Sequence, residues 1–417
     1  MNHLLRLFVV TSGLFVIISS VKAQDSLGVT KLSGISNAWG VAGKCDYQNG
    51  YVYVPTGATG LRIVDIQDLR NPREIGAFET DGVALCADVD GNYCYVADDL
   101  RGLRIIDVSE PFFPVEAGFY DTDSRAKSVV YRDGFCFIAD NTDGLRIIDV
   151  SDPTAPREIG SFNTYGYALG VALAGDYCCL ADIGIRIIDI SDLSRPHQAA
   201  QIQTPGAGKD IAVEGNLAYL ADAAFGVKVF DISNPLFPRQ VGARDTPIGA
   251  VSVSAFNHRC YTADGMGGLR VISAEDSSRP AEVGWYMTRG VAYAVRAMEN
   301  IALLSDGFTL YILDCSVALQ SPETPTEALP AHFTLHSAYP NPFNGSTRIR
   351  FDLAQPSRAA LGIYALDGRL EATLSEGWRL AGSNETVWEA GQAAAGVYII
   401  RLEGYGSSQA RLVELVK

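Results

Sequence analysis

The stretch "GLRIIDVSDPTAPREIGSFNT" (Gly144–Thr164) decides the fold, because near-copies of it recur along most of the 417-residue chain. Six copies begin at Gly60, Gly102, Gly144, Gly184, Gly226 and Gly268, and a truncated seventh begins at Thr309. One aligned position holds Asp, or Ser in the sixth copy, at residues 65, 107, 149, 189, 231, 273 and 314. A spacing of 40 to 42 residues is typical of an array of small structural units.

Each repeat predicts four short strands, named A to D here in chain order. In the second repeat "GVALCADV" (82–89) is strand A, "NYCYVAD" (92–98) is strand B, and the quoted motif supplies C and D. Four-stranded units of about 42 residues are typical of β-propeller blades. Proline, which suits an edge strand because it donates no N–H, opens strand D at Pro72, Pro114, Pro156, Pro196, Pro238 and Pro280.

The seventh repeat lacks strand D, whereas "SLGVTKLSGIS" (26–36) is strand-like and has no repeat of its own. If this N-terminal segment supplies the missing strand, the array closes and loses two open sheet edges. The sequence therefore predicts an all-β fold: a seven-bladed β-propeller closed by its N-terminal strand and followed by a small antiparallel β-sandwich.

Residues 1–23 have the pattern of a secretory signal peptide, with Arg6, an apolar run from Leu7 to Ile18, and a cleavage site after Ala23. The alternative is a membrane anchor, but the run is shorter than the roughly 20 residues that span a bilayer. Cleavage removes two basic residues and no acid, so the net charge falls from −15 to −17. This charge disfavours binding to nucleic acid or anionic lipid.

Two repeated columns predict packing. A small residue recurs in strand A, where inner strands crowd around an axis, at Ala42, Ala84, Ala126, Ala168, Gly208, Ala250 and Ala292. Cys94, Cys136, Cys178 and Cys260 share one column of strand B, about one sheet spacing apart and too far for disulfides, so we expect small buried side chains there. Pairing among Cys45, Cys86, Cys179 and Cys315 stays open.

An acidic column ends strand B, and a basic column lies in strand C. Pairing each acid with the base of the preceding blade matches the two exceptions, Thr56 and Tyr311, with each other, whereas pairing within a blade or with the following blade leaves two mismatches. The predicted inter-blade pairs are Asp98–Arg62, Asp140–Arg104, Asp182–Arg146, Asp222–Arg186, Asp264–Lys228 and Asp306–Arg270.

Function is expected where the repeats differ, in the D–A and B–C loops, which share one face. Aromatic and charged residues around a concave mouth suit peptide or glycan recognition, although an unselected solvated rim is the alternative. The candidate binding residues are Trp39, Asp81, Asp99, Arg101, Asp123, Arg125, Tyr165, Tyr167, Lys209, Phe225, Arg289 and Phe308.

Signals of catalysis are weak. The four histidines after residue 23 are scattered, and no G-x-S-x-G or phosphate loop is present. A carboxylate pair across the funnel, Asp81 with Asp210, would suit glycoside hydrolysis. "DVDGN" (88–92) resembles the start of a calcium loop but is better explained as a hairpin turn. We therefore predict no catalytic residue, metal or cofactor.

The predicted domains are the signal peptide (1–23), the propeller (24–318), a Pro- and Glu-rich linker (319–331) and a C-terminal domain (332–417). Within the last, "TRIRFDL" (347–353), "AALGIYAL" (359–366), "GVYIIRL" (396–402) and "ARLVELV" (410–416) alternate as strands of an Ig-like sandwich.

Two resemblances add to this reading. "AYPNPFNGSTRIRFDL" (338–353), "IYALDGRLEATL" (363–374) and "AGVYIIRL" (395–402) resemble the C-terminal sorting domain of type IX secretion cargo, which is similar to FlgD-like Ig folds. Its most specific motif is the hexamer Tyr339, Pro340, Asn341, Pro342, Phe343 and Asn344. The repeats resemble the LVIVD-repeat family of bacterial surface propellers, from which the seventh copy departs at Thr309 and Tyr311.

These resemblances imply export across a Gram-negative outer membrane, by the type IX machinery, to the cell surface or the medium. The first functional hypothesis is a monomeric, non-catalytic binding or adhesion module with a protein or glycan ligand. The alternatives are a secreted carbohydrate-active or other propeller enzyme, and a purely structural surface component. Fold alone does not choose among them.

Overall fold

The computed structural model describes residues 26–36, 39, 42–319, 333–336, 338–353, 357–365, 369–379, 382–391, 393–404 and 407–416. The predicted signal peptide (1–23) and all but the first residue of the predicted linker (319–331) lie outside the described residues. Among the helices of the described part, none has the length and apolar character needed to span a bilayer.

The described residues between 26 and 314 form seven antiparallel sheets, numbered sheet 1 to sheet 7 in chain order. Their first strands are β3 (Asp46–Gln48), β7 (Cys86–Asp90), β11 (Ser128–Arg132), β15 (Gly170–Ala174), β19 (Asp210–Glu214), β23 (Ser252–Phe256) and β27 (Ala294–Met298). Their second strands are β4 (Tyr51–Pro55), β8 (Tyr93–Ala97), β12 (Phe135–Ala139), β16 (Tyr177–Asp182), β20 (Leu217–Ala221), β24 (Arg259–Ala263) and β28 (Ile301–Ser305).

The third strands, which carry the repeated motif, are β5 (Leu61–Asp65), β9 (Leu103–Asp107), β13 (Leu145–Asp149), β17 (Gly184–Asp189), β21 (Val227–Asp231), β25 (Leu269–Ser273) and β29 (Thr309–Asp314). The fourth strands of sheets 1 to 6 are β6 (Arg73–Phe78), β10 (Val115–Tyr120), β14 (Arg157–Phe162), β18 (His197–Gln203), β22 (Arg239–Arg244) and β26 (Ala281–Tyr286). Strands A to D of the repeats therefore correspond to the four strands of each sheet.

Local chemistry explains the turns and bends. Gly91, at φ 57°, begins the two-residue turn between β7 and β8, a conformation that glycine adopts without strain. In the fourth strand of sheet 2 the register shifts between Glu116 and Gly118. A Cβ on Gly118 would lie 2.3 Å from the carbonyl oxygen of Pro153 in the next sheet's C–D loop, so only glycine allows this close approach.

The N-terminal segment joins the last two sheets. β2 (Thr30–Ser36) pairs antiparallel with β29 and is the fourth strand of sheet 7, which is the pairing predicted for residues 26–36. β1 (Ser26–Leu27) adds a fifth strand to sheet 6 by pairing with β26, a contact that the sequence did not predict. The short helix α1 (Ser316–Leu319) follows, and the amide of Ala318 donates to the carbonyl of Gly28 at 3.1 Å.

Successive sheets pack through apolar clusters that combine residues of both neighbours, and one such cluster joins Leu303 and Ile312 of sheet 7 to Val52 and Val54 of sheet 1. The small-residue column lies at these junctions. Ala84 exchanges two 3.0 Å backbone hydrogen bonds with Gly57 in the B–C loop of the preceding sheet. The side chain is small because a neighbouring backbone lies beside it, which is more specific than the predicted crowding around an axis. All eight cysteines are buried and unpaired.

The C-terminal residues form a second, separate core between a sheet of β30 (Phe333–Leu335), β31 (Ser346–Leu353) and β34 (Gly382–Glu389) and a sheet of β33 (Leu370–Arg379), β32 (Ser357–Ala365), β35 (Gly396–Gly404) and β36 (Ser407–Leu415). The four predicted strands correspond to β31, β32, β35 and β36, whereas β30, β33 and β34 were not predicted. Phe343 of the hexamer is buried, with its ring 5.1 Å from that of Trp388. Its amide donates to the Glu414 carbonyl of β36 at 2.9 Å, which fixes the hexamer to the last strand.

Candidate functional site

The acidic and basic columns pair within one sheet, so the predicted inter-blade pairing is wrong. The shortest N–O distances are 3.7 Å for Arg104–Asp98, 3.6 Å for Arg146–Asp140, 2.8 Å for Arg186–Asp182 and 3.7 Å for Arg270–Asp264. Tyr311 likewise donates to Asp306 of its own sheet at 2.9 Å. Lys228 donates to the Phe225 carbonyl, and Arg62 lies 3.6 Å from Glu74.

The register of strands B and C is the physical reason for the error. Arg104 lies opposite Val96, and Asp98 follows Val96 by two residues. Side chains two residues apart lie on the same face, so Arg104 and Asp98 are diagonal neighbours within the sheet.

The same carboxylates do connect repeats, but through threonine. Thr80 in the D–A loop donates to Asp98 at 2.7 Å, and Thr122 donates to Asp140 at 2.8 Å. Burial raises the pKa of Asp98, although the hydrogen bond from Thr80 and the charge of Arg104 oppose that rise. These buried groups anchor the crossovers into sheets 2 and 3 and are structural.

The D–A and B–C loops of successive sheets meet on one face, here named the loop face. In it the amide of Ala126 donates to the carbonyl of Asp99 at 2.9 Å. Tyr165 is 96% exposed, Phe308 73% and Tyr167 62%, and Phe225 is also exposed. The charged candidates that are exposed on this face are Asp81, Arg101, Asp123, Arg125, Lys209 and Arg289.

Two predicted candidates are not available at the surface. Trp39 is buried, and its indole N–H donates to Glu74 at 2.9 Å, so its assignment to the rim is wrong. Asp99 is buried beneath Arg125 and Lys127, which donate to it at 2.6 to 2.9 Å. Burial would raise the pKa of Asp99, but these two cations outweigh it and lower the pKa. Asp99 therefore positions two basic side chains at the surface.

Several exposed apolar residues of the loop face were not predicted. They are Val83, Leu100, Ile183, Ile248 and Tyr293. With the exposed aromatic candidates and Met266 these make ten residues, of which eight lie at sheets 4 to 7, whereas Val83 and Leu100 lie at sheet 2 near Asp81. An apolar surface beside a charged one can orient a bound partner. The sequence signal that could have identified these exposed residues is an apolar side chain within a predicted turn.

A cavity of about 350 Å³, here named the axial cavity, is lined by the first-strand segments of the sheets. Lys44 of sheet 1 donates to both oxygens of Asp210 in sheet 5, at 2.8 and 2.9 Å. Asp210 also accepts a 2.8 Å hydrogen bond from Ser252. Because Asp210 is buried in these contacts and Asp81 is exposed in a loop, the two do not form the carboxylate pair considered for glycoside hydrolysis.

Comparisons with known proteins address the fold. The LVIVD repeat model matches residues 40–80, 82–122, 124–164, 165–204 and 205–246, which are five of the seven repeats. No curated protein matches the chain.

Two solved structures are similar in fold. A chain of the mitotic checkpoint complex has a TM-score of 0.58 and 13% identity, over 75% of this chain and 99% of that chain. The computationally designed Ika8 protein has a TM-score of 0.51 and 8% identity, over 68% of this chain and 99% of that chain. At such identities the likeness concerns fold alone. The chain therefore carries LVIVD repeats in a repeat β-propeller architecture.

Proposed function

We propose that this protein is an exported, non-catalytic binding protein, whose loop face binds a protein or glycan partner. The observation that carries the proposal is the exposed apolar and aromatic surface of that face, with Tyr165 at 96% and Phe308 at 73% exposure. Exposed aromatic side chains next to charged ones are typical of binding surfaces, because they bury large areas with little loss of conformational freedom.

The scaffold proposed for this surface is a closed ring of seven blades. The pairing of β2 with β29 and the apolar cluster between sheets 7 and 1 support closure. In addition, Arg296 of sheet 7 lies 2.8 Å from Asp46 of sheet 1. Deleting residues 26–36 should expose the edges of β26 and β29 and cause aggregation. Unchanged solubility and melting temperature would argue against closure by this segment.

Arrays of glycans and of peptides, probed with residues 24–417, test the binding function. Replacing Tyr165 and Tyr167 with serine should abolish any specific signal, because both side chains are exposed on the loop face. Phe113→Ser is the matched control, since Phe113 is 79% exposed but lies in a C–D loop at the opposite end of its sheet. Binding lost equally in both variants, or turnover of an array glycan, would contradict the proposal.

The export part of the proposal assigns the C-terminal sandwich as a type IX sorting domain. It rests on the leader pattern of residues 1–23 and on the hexamer Tyr339–Asn344, whose Phe343 is buried in the sandwich core. Deleting residues 332–417 should leave the propeller in the periplasm of a type IX-competent host. Normal appearance of the truncated chain at the surface or in the medium would refute the assignment.

A further inference from the structure

The axial cavity shares no lining residue with the exposed side chains named for the loop face. Its wall combines charged side chains from sheets 7, 1, 2 and 3 with small ones from sheets 4 and 5, namely Ala172 and Ala212. A volume of about 350 Å³ lies in the range of small-molecule sites. Because the first-strand residues differ from sheet to sheet, the cavity has one side lined by charged side chains and another lined by small apolar ones.

Carboxylates on the charged side accept hydrogen bonds from backbone amides of the neighbouring first strands. Asp46 accepts from the amide of Val89 at 3.1 Å, and Asp88 accepts from the amide of Tyr131 at 2.6 Å. On sheets 4 and 5 the corresponding amides belong to Leu173 and Val213. The two-residue turns after β15 and β19 leave these amides outside the A–B ladder, so they point inwards. The side chains equivalent to Asp46 and Asp88 that precede them are Val130 and Ala172, which cannot accept a hydrogen bond.

After these contacts, one basic and one acidic side chain on the cavity wall each still lack one partner. Arg296 forms an ion pair with Asp46, but its Nε is buried and makes no hydrogen bond. No basic side chain of the described residues lies within ion-pair distance of Asp88. The other charged lining groups are engaged: Lys44 by Asp210, and Arg132 by the Gly175 carbonyl. The Nε of Arg296 thus lacks a partner, and Asp88, which shares a side-chain hydrogen bond with Asp46, lacks a cation; both residues line one small cavity.

We propose that the axial cavity binds a small zwitterion, with its ammonium group at Asp88 and its carboxylate at Arg296. A molecule with both charges supplies a partner to Arg296 and to Asp88, whereas one with a single charge leaves one of the two without that partner. Burial and the neighbouring Asp46 raise the pKa of Asp88 to about 8, so an ammonium bound there should displace a proton from it at neutral pH.

Calorimetric titration of residues 24–417 tests the proposal with glycine, β-alanine, γ-aminobutyrate and lysine as probes. Propylamine and propionate are the single-charge controls. At least one zwitterion should bind, about tenfold or more tighter than either control. Titration in two buffers of different ionisation enthalpy should show protons released on binding. No binding by any zwitterion, or equal binding by propylamine, would overturn the proposal.

Asp88→Asn keeps an oxygen to accept from the Tyr131 amide and removes the charge, so it should weaken zwitterion binding about tenfold or more and abolish proton release. Asp90→Asn, two residues along the same strand and exposed, is the matched control. Arg296→Lys keeps the ion pair's charge but lacks Nε, so it should weaken the zwitterion without affecting propylamine. Unchanged zwitterion binding in Asp88→Asn would refute the site. The Tyr165/Tyr167 variant should bind these probes normally, which separates this site from the loop face.

Discussion

The buried cation Arg270 offers the sharpest test of how the repeats are held together. Its side chain is fully buried on β25, with its Nε 3.7 Å from Asp264 and its Nη1 3.6 Å from Glu282. The guanidinium also lies 5.5 Å from the ring centroid of Trp285. Arg270→Met keeps much of the apolar stem and removes the charge, which leaves two buried carboxyl groups without this cation.

Removing one member of a buried ion pair costs about 3–5 kcal/mol, because the remaining charge stays desolvated. We expect a loss in this range at pH 7, which is a large part of the 5–15 kcal/mol typical of a folded domain. Changing Asp264 to Asn and Glu282 to Gln in the same variant should recover most of the loss, since no uncompensated charge remains.

The loss should depend on pH. Burial raises the pKa of both Asp264 and Glu282 even with Arg270 present, and removing the cation should raise both further. An acid whose folded-state pKa is raised contributes stability that is complete below its unfolded pKa, near 4, and is lost as the pH rises through the folded value. The deficit of Arg270→Met relative to wild type should therefore be small near pH 4 and largest at neutral pH.

Urea unfolding monitored by tryptophan emission measures this loss, with Trp285 next to the substituted side chain as a local probe. Arg239→Met is the control, because Arg239 is largely exposed in a surface pair with Asp231 and should cost less than about 1 kcal/mol. A deficit below about 1 kcal/mol for Arg270→Met, or one that grows in acid, would refute the reasoning.

Three further predictions follow from local geometry. Gly118→Val should cost roughly 2 kcal/mol or more in thermal unfolding, since a Cβ there would lie 2.3 Å from the Pro153 oxygen; an unchanged melting temperature would contradict that contact. The eight buried thiols should resist an aromatic disulfide reagent until the chain unfolds, because burial raises the pKa of thiols such as Cys45 and Cys179 to about 12; rapid labelling of the native protein would disprove this. Ser151→Ala should raise the pKa of Asp149, which the hydroxyl and amide of Ser151 and the side chain of Arg157 lower to about 2, in an NMR titration, whereas Thr154→Ala should leave it unchanged.

The repeats made strand order predictable because each strand carries its own periodic pattern, but they left side-chain partners undetermined. A column shows which residue types recur and not the register that brings two of them together. The error over Arg104 and Asp98 arose there, since the pairing of Val96 with Arg104 is a property of the folded sheet. The threonine–aspartate hydrogen bonds that do connect the repeats had a sequence signal, because Thr80 and Thr122 each precede the aspartate that they contact by 18 residues.

The two candidate sites differ in how far sequence could locate them. Loop-face residues such as Tyr165 and Phe308 are apolar residues in turns, which is visible in the sequence, although Trp39 shows that an aligned position need not be exposed. The axial cavity had no such signal, because its polar residues lie in different repeats and their aligned positions hold unrelated residue types.

Lys44 and Asp210 show what this variation achieves. They are 166 residues apart in the chain, occupy the same strand position in sheets 1 and 5, and form a direct ion pair. Among the other residues at this position are Cys86, Ser128 and Gly170, so a strictly repeated sequence could not form the pair. A Cβ on Gly170 would lie 3.0 Å from Asp210 Oδ1, so the glycine leaves room for that carboxylate. Residues that differ among the repeats therefore contact one another across the axial cavity, and a binding site lined by several sheets needs such matched differences.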